Sequence, residues 1–341
     1  MAQLAHRRSS GIISLAFNQE QDCFACCLKT GLRIYNVEPL VEISHFNREE
    51  VGEVLLCEMI DRTNWLLYVS ARRPNILMAF NAREHYLIAE VSFKAPIRAI
   101  KARKDKVAIV LSSTIQVLAI PKLNRVALMR IPAGCRPLCT IATDATVPQL
   151  LAAPAHRKGC VQIINDLVCM SLSPNGTRLA TASEKGTIIR VFDTGTRTPL
   201  HELRRGSDYA DVFCINFNAT GTLVSCVSDK GTMHVWSARG AWTHLAAAKA
   251  FPDTRAQCGF INDNTAVMIC EDGSYHKFSF ASEGNCHRTD FDVFLQGKLR
   301  KDEDSYPDGN FLPTRFSFGM VWRRRFKVEP KNVAGSKVGF L

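Results

Sequence analysis

The sequence contains one short motif whose residue types suit phosphate binding, the run Leu203-Arg204-Arg205-Gly206. Adjacent arginines in an extended chain point to opposite faces, because side chains alternate along a strand. A guanidinium group binds phosphate through two parallel, charge-assisted hydrogen bonds. The motif therefore predicts two anion sites, one on each side of the chain.

Two similar turn segments flank this motif, 183–187 (Ser-Glu-Lys-Gly-Thr) before it and 228–232 (Ser-Asp-Lys-Gly-Thr) after it, with His234 beyond. Hydroxyl groups, backbone amides and an imidazole can complete the shell around a phosphate. We expect Arg204 to face the first segment and Arg205 the second. Taken singly, each segment is also explained as an ordinary turn, in which Ser and Asp cap the turn and Gly adopts a positive φ.

Four segments of the chain align on one template of three strands joined by two turns. They are residues 12–37, 167–193, 212–237 and 256–280. Each alternates apolar and polar residues in the manner of half-buried strands. The glycines of the second turn, Gly186, Gly231 and Gly273, lie 45 and 42 residues apart, which is the spacing of four-stranded propeller blades.

Three further segments, 54–93, 97–131 and 138–164, are also rich in β-branched residues and turns, and we interpret them as three more blades. The predicted fold is all-β: a seven-bladed β-propeller of the WD-repeat type. It has a domain at residues 11–296, an N-terminal extension at 1–10 and a short, basic, loosely ordered tail at 297–341. In such a fold the rim and the loops carry the function.

The composition indicates a globular chain with an anionic partner. Of the 341 residues 46% are hydrophobic and 22% charged, which excludes a disordered or fibrous protein. No apolar run approaches the roughly 18 residues of a membrane span, so we expect a cytoplasmic location. The net charge of +11 favours nucleic acid, lipid headgroups or an acidic protein.

The sequence favours neither a metal site nor an enzyme. Thirteen cysteines in such a chain predict reduced thiols, and Cys23 and Cys26 form a C-x-x-C pair with no second pair to complete a zinc site. The inward strand positions of four other cysteines predict core packing: Cys214, Cys226, Cys258 and Cys270. No catalytic or cofactor-binding fingerprint is present, and no nucleic-acid-binding module.

Three segments, ATASEKGTIIRVFDT, HELRRGSD and CINFNATGTLVSCVSDKGTMHVW, closely resemble the PROPPINs, which are WD-repeat propellers that bind polyphosphoinositides. The segments TGLRIYNVEPL and GNCHRTDFDVFL resemble the metazoan autophagy branch of that family, and the likeness extends over about residues 11–295. It implies recognition of phosphatidylinositol 3-phosphate and phosphatidylinositol 3,5-bisphosphate at two rim sites on the fifth and sixth blades. The residues matching the first site are Ser183, Gly186, Thr187, Arg190 and Arg204, and those matching the second are Arg205, Ser228, Thr232 and His234.

Two segments are shorter than the family pattern. Residues 161–168 lack the stretch with an Ala-His dipeptide whose histidine joins the first site, so the first pocket is expected to lack a wall. Residues 236–242 form a tight turn where the family has a long membrane-inserting loop. Trp236 and Trp242 beside that turn could lie at headgroup level or in the core. The basic cluster 323–327 could add attraction to an anionic surface.

The leading hypothesis is a non-enzymatic phosphoinositide effector without a cofactor. By resemblance, it would be recruited peripherally to preautophagosomal and endosomal membranes and would bring an autophagy lipid-transfer protein to them. The alternative is a WD-repeat scaffold that binds proteins independently of lipid. Its acidic edge would include Asn18, Glu20 and Asp22, residues that turn capping explains equally well.

Overall fold

A computed structural model describes residues 11–132, 135–154, 167–237, 243–249, 254–281 and 286–295, with two short strands near the C-terminus. Six sheets, named here blades A to F, each contain four consecutive antiparallel strands, and the sheet of blade B has a fifth, parallel strand from near the C-terminus. Blade A contains β1 (Ile12–Phe17), β2 (Cys23–Leu28), β3 (Gly31–Asn36) and β4 (Val41–Asn47). A single helical turn, α1 (Arg48–Val51), leads to blade B, which contains β5 (Val54–Met59), β6 (Trp65–Ser70), β7 (Ile76–Asn81) and β8 (Tyr86–Ser92). Blade C contains β9 (Ala99–Arg103), β10 (Lys106–Val110), β11 (Thr114–Ala119) and β12 (Asn124–Arg130).

The second half of the chain begins with two short strands, β13 (Thr140–Ile141) and β14 (Leu150–Ala152). Blade D contains β15 (Leu167–Leu172), β16 (Arg178–Ser183), β17 (Ile188–Asp193) and β18 (Pro199–Arg204). Blade E contains β19 (Val212–Phe217), β20 (Leu223–Ser228), β21 (Thr232–Ser237) and β22 (Thr243–Lys249). Blade F contains β23 (Ala256–Asn262), β24 (Thr265–Cys270), β25 (Ser274–Phe280) and β26 (Cys286–Val293). The last strands are β27 (Lys327–Val328), which pairs with β8, and β28 (Gly339–Phe340), which pairs with β14.

The predicted count of seven blades is wrong, because the described chain forms six. Residues 138–164 were expected to form a blade, but in their described part they form only β13 and β14, which make a small three-stranded sheet with β28. Pro137 precedes this segment and Pro148 and Pro154 interrupt it, and proline can neither donate to a strand ladder nor occupy a central strand. β13 still lies between β9 and β15 in the ring of inner strands.

The core lies between blades, where alternate residues of each sheet pack on the next sheet. The second strands are largely buried, and β2, β20 and β24 are buried at every residue. All four cysteines predicted to be internal are buried, as expected. Cys23 and Cys26 pack in different clusters, on opposite sides of β2, because positions three apart on a strand face opposite ways. They therefore do not converge on one metal.

Side chains of blades A and F close the ring between these two blades. The hydroxyl of Tyr35 donates to the Phe294 carbonyl at 3.1 Å, and that of Tyr275 to the Val37 carbonyl at 3.1 Å. The buried Gln21 amide donates to the carbonyl of Phe217 in blade E at 2.7 Å, and its carbonyl accepts from the Phe260 amide in blade F at 2.8 Å. Blades A, E and F are thus held together by one side chain.

Candidate functional site

The arginine motif links the outer strand of blade D to the inner strand of blade E. β18 ends at Arg204, and the amides of Arg205 and Gly206 both donate to the Thr187 carbonyl, at 2.9 and 3.4 Å. The side chain of Arg204 is exposed, whereas Arg205 is 8% exposed. Leu203 lies in the core cluster shared by blades D and E. The two arginines of the motif therefore differ strongly in exposure.

The guanidinium of Arg205 is buried without a counter-charge. Its Nε donates to the Gly186 carbonyl at 2.6 Å and Nη2 donates to the Asp208 carbonyl. Neither acceptor is charged, and no carboxylate forms an ion pair with Arg205 in the described part of the chain. The remaining N–H groups are available, since a guanidinium carries five donors. A buried cation of this kind favours an anionic ligand.

The turn of blade D is shaped so that the linking segment can lie against it. The Gly186 amide donates to the Ser183 carbonyl at 2.9 Å, and Gly186 adopts φ +62. A Cβ at this position would lie 1.8 Å from the Ala210 carbonyl oxygen. The Ala210 amide in turn donates to the Lys185 carbonyl at 3.2 Å. Glycine is required here for close approach of two backbones as well as for the positive φ.

The first predicted site is open and partly neutralised. Arg190 lies opposite Glu202 in the sheet, and Arg204 lies opposite Ile188, so Arg190, Glu202 and Arg204 share one face of blade D. The Arg190 Nε is 2.8 Å from Glu202 Oε1, with the two side chains 37% and 57% exposed. Arg204 has no hydrogen-bond or ion-pair partner in the described region. A phosphate here would compete with Glu202 for Arg190.

Arg136 is a cation near the first site that sequence reasoning missed. Its Nη2 lies 3.9 Å from Glu184 Oε1 in the turn that contains Ser183 and Gly186. Arg136 precedes the small sheet and is 60% exposed at its side chain. No motif surrounds it, and its position follows from the fold that brings the small sheet beside blade D.

The second predicted site lies where blade E packs on blade D. Ser228, Thr232 and His234 share one face of blade E with Cys226, because His234 lies opposite Cys226 in the sheet and alternate residues share a face. Cys226 packs against residues of blade D. Ser228 is 0% exposed, and its hydroxyl has no hydrogen-bond partner among the residues that the structure describes. Such an orphaned buried hydroxyl fits a ligand oxygen.

Arg205 hydrogen-bonds the carbonyl of Gly186 in the first turn segment, and its charge acts on His234 of the second segment. Burial lowers the pKa of His234 to about 4, and the neighbouring His244 and the charge of Arg205 contribute in the same direction. The charge of Arg205 also acts on the Cys226 thiol, whose pKa is raised by burial. His234 stacks on Trp236, with ring centroids 5.6 Å apart and planes at 17°. Trp236 is 2% exposed and is a core residue.

Several features singled out in the sequence fall outside the described residues. These are the junction residues 155–166, Trp242 with the tight turn at 238–242, the extension at 1–10 and the basic cluster 323–326; the tail is described only at β27 and β28. Predictions for these features stay predictions.

The residues of the possible acidic edge in blade A have different roles. The side-chain oxygen of Asn18 accepts from the amides of Asp22 and Cys23, at 3.1 and 3.0 Å. Asp22 pairs with Arg62 at 2.5 Å. Partial desolvation of the Glu20 carboxylate raises its pKa, and the negative charges of Asp22 and Asp61 act in the same direction. The capping interpretation is therefore confirmed for Asn18, while Asp22 is neutralised.

A central cavity of about 220 Å³ runs between the inner strands and is separate from the arginine motif. Its charged residues are Glu58 and Lys101. The carboxylate of Glu58 raises the pKa of Lys101, and burial raises the pKa of Glu58. One cation beside one acid gives no excess positive charge for a phosphate. Among the described residues no group of three or more metal-binding side chains occurs, and no helix could span a bilayer.

This chain is similar in sequence to a known protein family and to curated proteins. The PROPPIN family model matches residues 11–243. Autophagy-related protein 18e of Arabidopsis thaliana is 25% identical over 314 residues, which cover 79% of this chain and 83% of that protein. SVP1-like protein 2 of Neurospora crassa is 31% identical over 255 residues, which cover 68% of this chain and 57% of that protein.

Solved structures share the fold. The structure of a complex of KlAtg21 with the coiled coil of AgAtg16 matches with a TM-score of 0.74 and 25% identity, over 83% of this chain and 99% of that chain. Hsv2 of Kluyvelomyces marxianus matches with a TM-score of 0.70 and 19% identity, with the same coverage, and supports the fold alone.

Proposed function

Because this chain belongs to the PROPPIN family, which binds phosphoinositide membranes, we propose that it is a non-enzymatic effector recognising phosphatidylinositol 3-phosphate and phosphatidylinositol 3,5-bisphosphate. The observation that carries the proposal is the Arg205 guanidinium, which is buried between two turns and bonded to neutral carbonyl groups. A phosphate would supply the missing negative charge and the missing acceptors. Arg205, Ser228, Thr232 and His234 form the stronger site in this proposal.

The first site contributes a weaker, more exposed contact. Arg204 supplies a free guanidinium, Ser183 and Thr187 supply hydroxyl groups, and Gly186 permits the turn. When both sites engage one membrane, the second binding step becomes intramolecular, and two weak pockets can gain about 100-fold in overall avidity. Membrane binding is then more sensitive to a single substitution than headgroup binding is.

The relatives support a proposal for the cellular role. The Arabidopsis relative is an autophagy-related protein, and the KlAtg21 structure contains the coiled coil of AgAtg16. We propose that this chain is recruited peripherally to preautophagosomal and endosomal membranes and brings an autophagy protein to them. The family resemblance suggests a lipid-transfer protein as that partner, whereas the solved complex suggests a coiled coil. Pull-down with a lipid-transfer protein and, separately, with a coiled coil would discriminate between them.

Lipid-independent scaffolding is the second candidate, and the Arg190–Glu202 ion pair is the observation in its favour. A site whose arginine already has a carboxylate needs no phosphate. In this case partner recruitment would persist on membranes without phosphoinositide, and vesicle binding would be absent at every ionic strength.

Flotation with vesicles containing phosphatidylinositol 3-phosphate tests the proposal. We expect the double variant Arg204→Thr, Arg205→Thr to lose flotation. The matched control Arg72→Thr, Arg83→Thr removes two exposed cations from blade B and should float normally. Because Arg205 also holds two backbone carbonyls, Ser228→Ala serves as a second variant, and melting curves accompany both. Flotation of the folded double variant at the wild-type level would refute the proposal.

A further inference from the structure

His244 in β22 contacts the second site although no motif includes it. Its Nε2 lies 3.1 Å from Nδ1 of His234, within hydrogen-bonding distance. The two ring centroids are 5.3 Å apart, with the planes at 54°. Trp236 holds both rings: it stacks on His234 and packs edge-on against His244 at 5.7 Å. The histidine pair and Trp236 thus form a cluster of three aromatic side chains on two neighbouring strands.

Both imidazoles are neutral at physiological pH. Burial lowers the pKa of His244, and burial, His244 and Arg205 lower that of His234 to about 4. A neutral imidazole has one N–H and one bare nitrogen. One proton therefore lies in the hydrogen bond between the two rings. The ring that donates this proton determines which nitrogen of the other ring is protonated.

If His244 donates through its Nε2–H, Nδ1 of His234 is the acceptor and the proton of His234 must be on Nε2. In the opposite arrangement, His234 donates through Nδ1 and presents a bare Nε2. A phosphate beside Arg205 is bound by an N–H donor and repelled by a lone pair. Only the first arrangement lets His234 serve as the donor that the second site requires.

We propose that His244 is a positioning residue that holds His234 in the Nε2–H form, so that His234 donates a hydrogen bond to a phosphate at the second site. The inference rests on the proposed function and assigns a specific task to a residue ten positions after the matched histidine. His244 itself touches no phosphate and acts through His234.

The test combines a tautomer measurement with headgroup binding. Long-range ¹H–¹⁵N correlation spectra at pH 7.5 report which nitrogen of His234 carries the proton, without any ligand. Titration calorimetry with soluble inositol 1,3-bisphosphate reports binding without a membrane. The variants are His244→Leu, which removes the donor, His244→Gln, whose side-chain amide can still donate, and His287→Leu, an exposed histidine of β26, as the control.

We expect the Nε2–H form of His234 in the wild type, in His244→Gln and in the control. In His244→Leu the Nδ1–H form should appear and headgroup affinity should fall about three- to tenfold, as for a weakened hydrogen bond to a charged group. If His244→Gln binds the headgroup better than His244→Leu, hydrogen-bond donation by residue 244 matters more than its packing, because leucine preserves the packing better than glutamine does.

Two results would overturn the inference: a wild-type His234 protonated at Nδ1, or a His244→Leu variant with unchanged tautomer and unchanged affinity. Equal losses in the Gln and Leu variants would assign His244 a packing role and would also overturn it. If the wild type binds no headgroup, the proposed function fails, and the tautomer spectra still decide whether His244 orients His234.

Discussion

Arg204 and Arg205 are chemically identical but occupy different environments. Arg205 is buried and bonded to carbonyl groups, whereas Arg204 is exposed beside the Arg190–Glu202 pair. Water competes less for a buried donor, and a buried guanidinium gains more from a phosphate than an exposed one does. The two positions are therefore expected to contribute unequally to binding.

We predict that Arg205→Thr weakens binding to vesicles containing phosphatidylinositol 3-phosphate by about tenfold or more, and that Arg204→Thr weakens it by about threefold or less. Cosedimentation over a range of lipid concentrations measures both. Arg205→Lys keeps the charge without the planar fork and should bind with intermediate affinity. A larger loss at Arg204 would contradict the assignment of the stronger site to blade E.

His276 should make stability dependent on pH. It is 0% exposed, and burial lowers its pKa from 6.5 to about 4. The unfolded chain therefore binds a proton first as the pH falls, and stability is lost between about pH 6.5 and 4, by at most about 3 kcal/mol. Urea unfolding at several pH values should show a shallower decline in His276→Gln. Parallel curves for variant and wild type would contradict this.

At the scale of elements, the turns decide where the linking segment lies. Gly186 has a positive φ and no room for a Cβ beside Ala210, whereas a Cβ on Gly206 would meet nothing within 4 Å. The motif glycine is thus not required for steric reasons, but the turn glycine is. The sequence match alone could not distinguish Gly186 from Gly206, because both glycines match family positions equally well.

Gly186→Ala should destabilise the protein by about 2 kcal/mol or more and weaken binding, because the 205–211 segment must move away from the turn. Gly206→Ala should leave the melting temperature and vesicle binding nearly unchanged. Thermal unfolding and flotation of the two variants side by side check this. Equal effects of the two substitutions would show that the close approach to Ala210 does not hold the linking segment.

Strands were predictable wherever alternation and turn glycines reinforced each other, as in blades A, D, E and F. The segment before blade D also contains β-branched residues, but its prolines break the strand ladder. One of its pairing partners, β28, lies near the C-terminus. Pairing at such a sequence separation leaves no local pattern. His244 and Arg136 were missed for the same reason, since the fold brings them to the sites.

At the scale of the molecule, ring closure fixes the geometry of both sites. In the described part of the chain each blade has four consecutive strands of its own, so the described closure contacts come from side chains such as Tyr35, Tyr275 and Gln21. The periodicity of the sequence indicated a ring, but those contacts join positions more than 190 residues apart. A closed ring would hold the two proposed phosphate sites at a fixed separation, which avidity requires.

The most direct test of the central claim is a crystal structure of the protein with soluble inositol 1,3-bisphosphate. We predict phosphate oxygens within hydrogen-bonding distance of the Arg205 guanidinium and the Ser228 hydroxyl, with His234 donating to the same group. A headgroup bound elsewhere, with Arg205 still bonded only to the Gly186 and Asp208 carbonyls, would contradict the account.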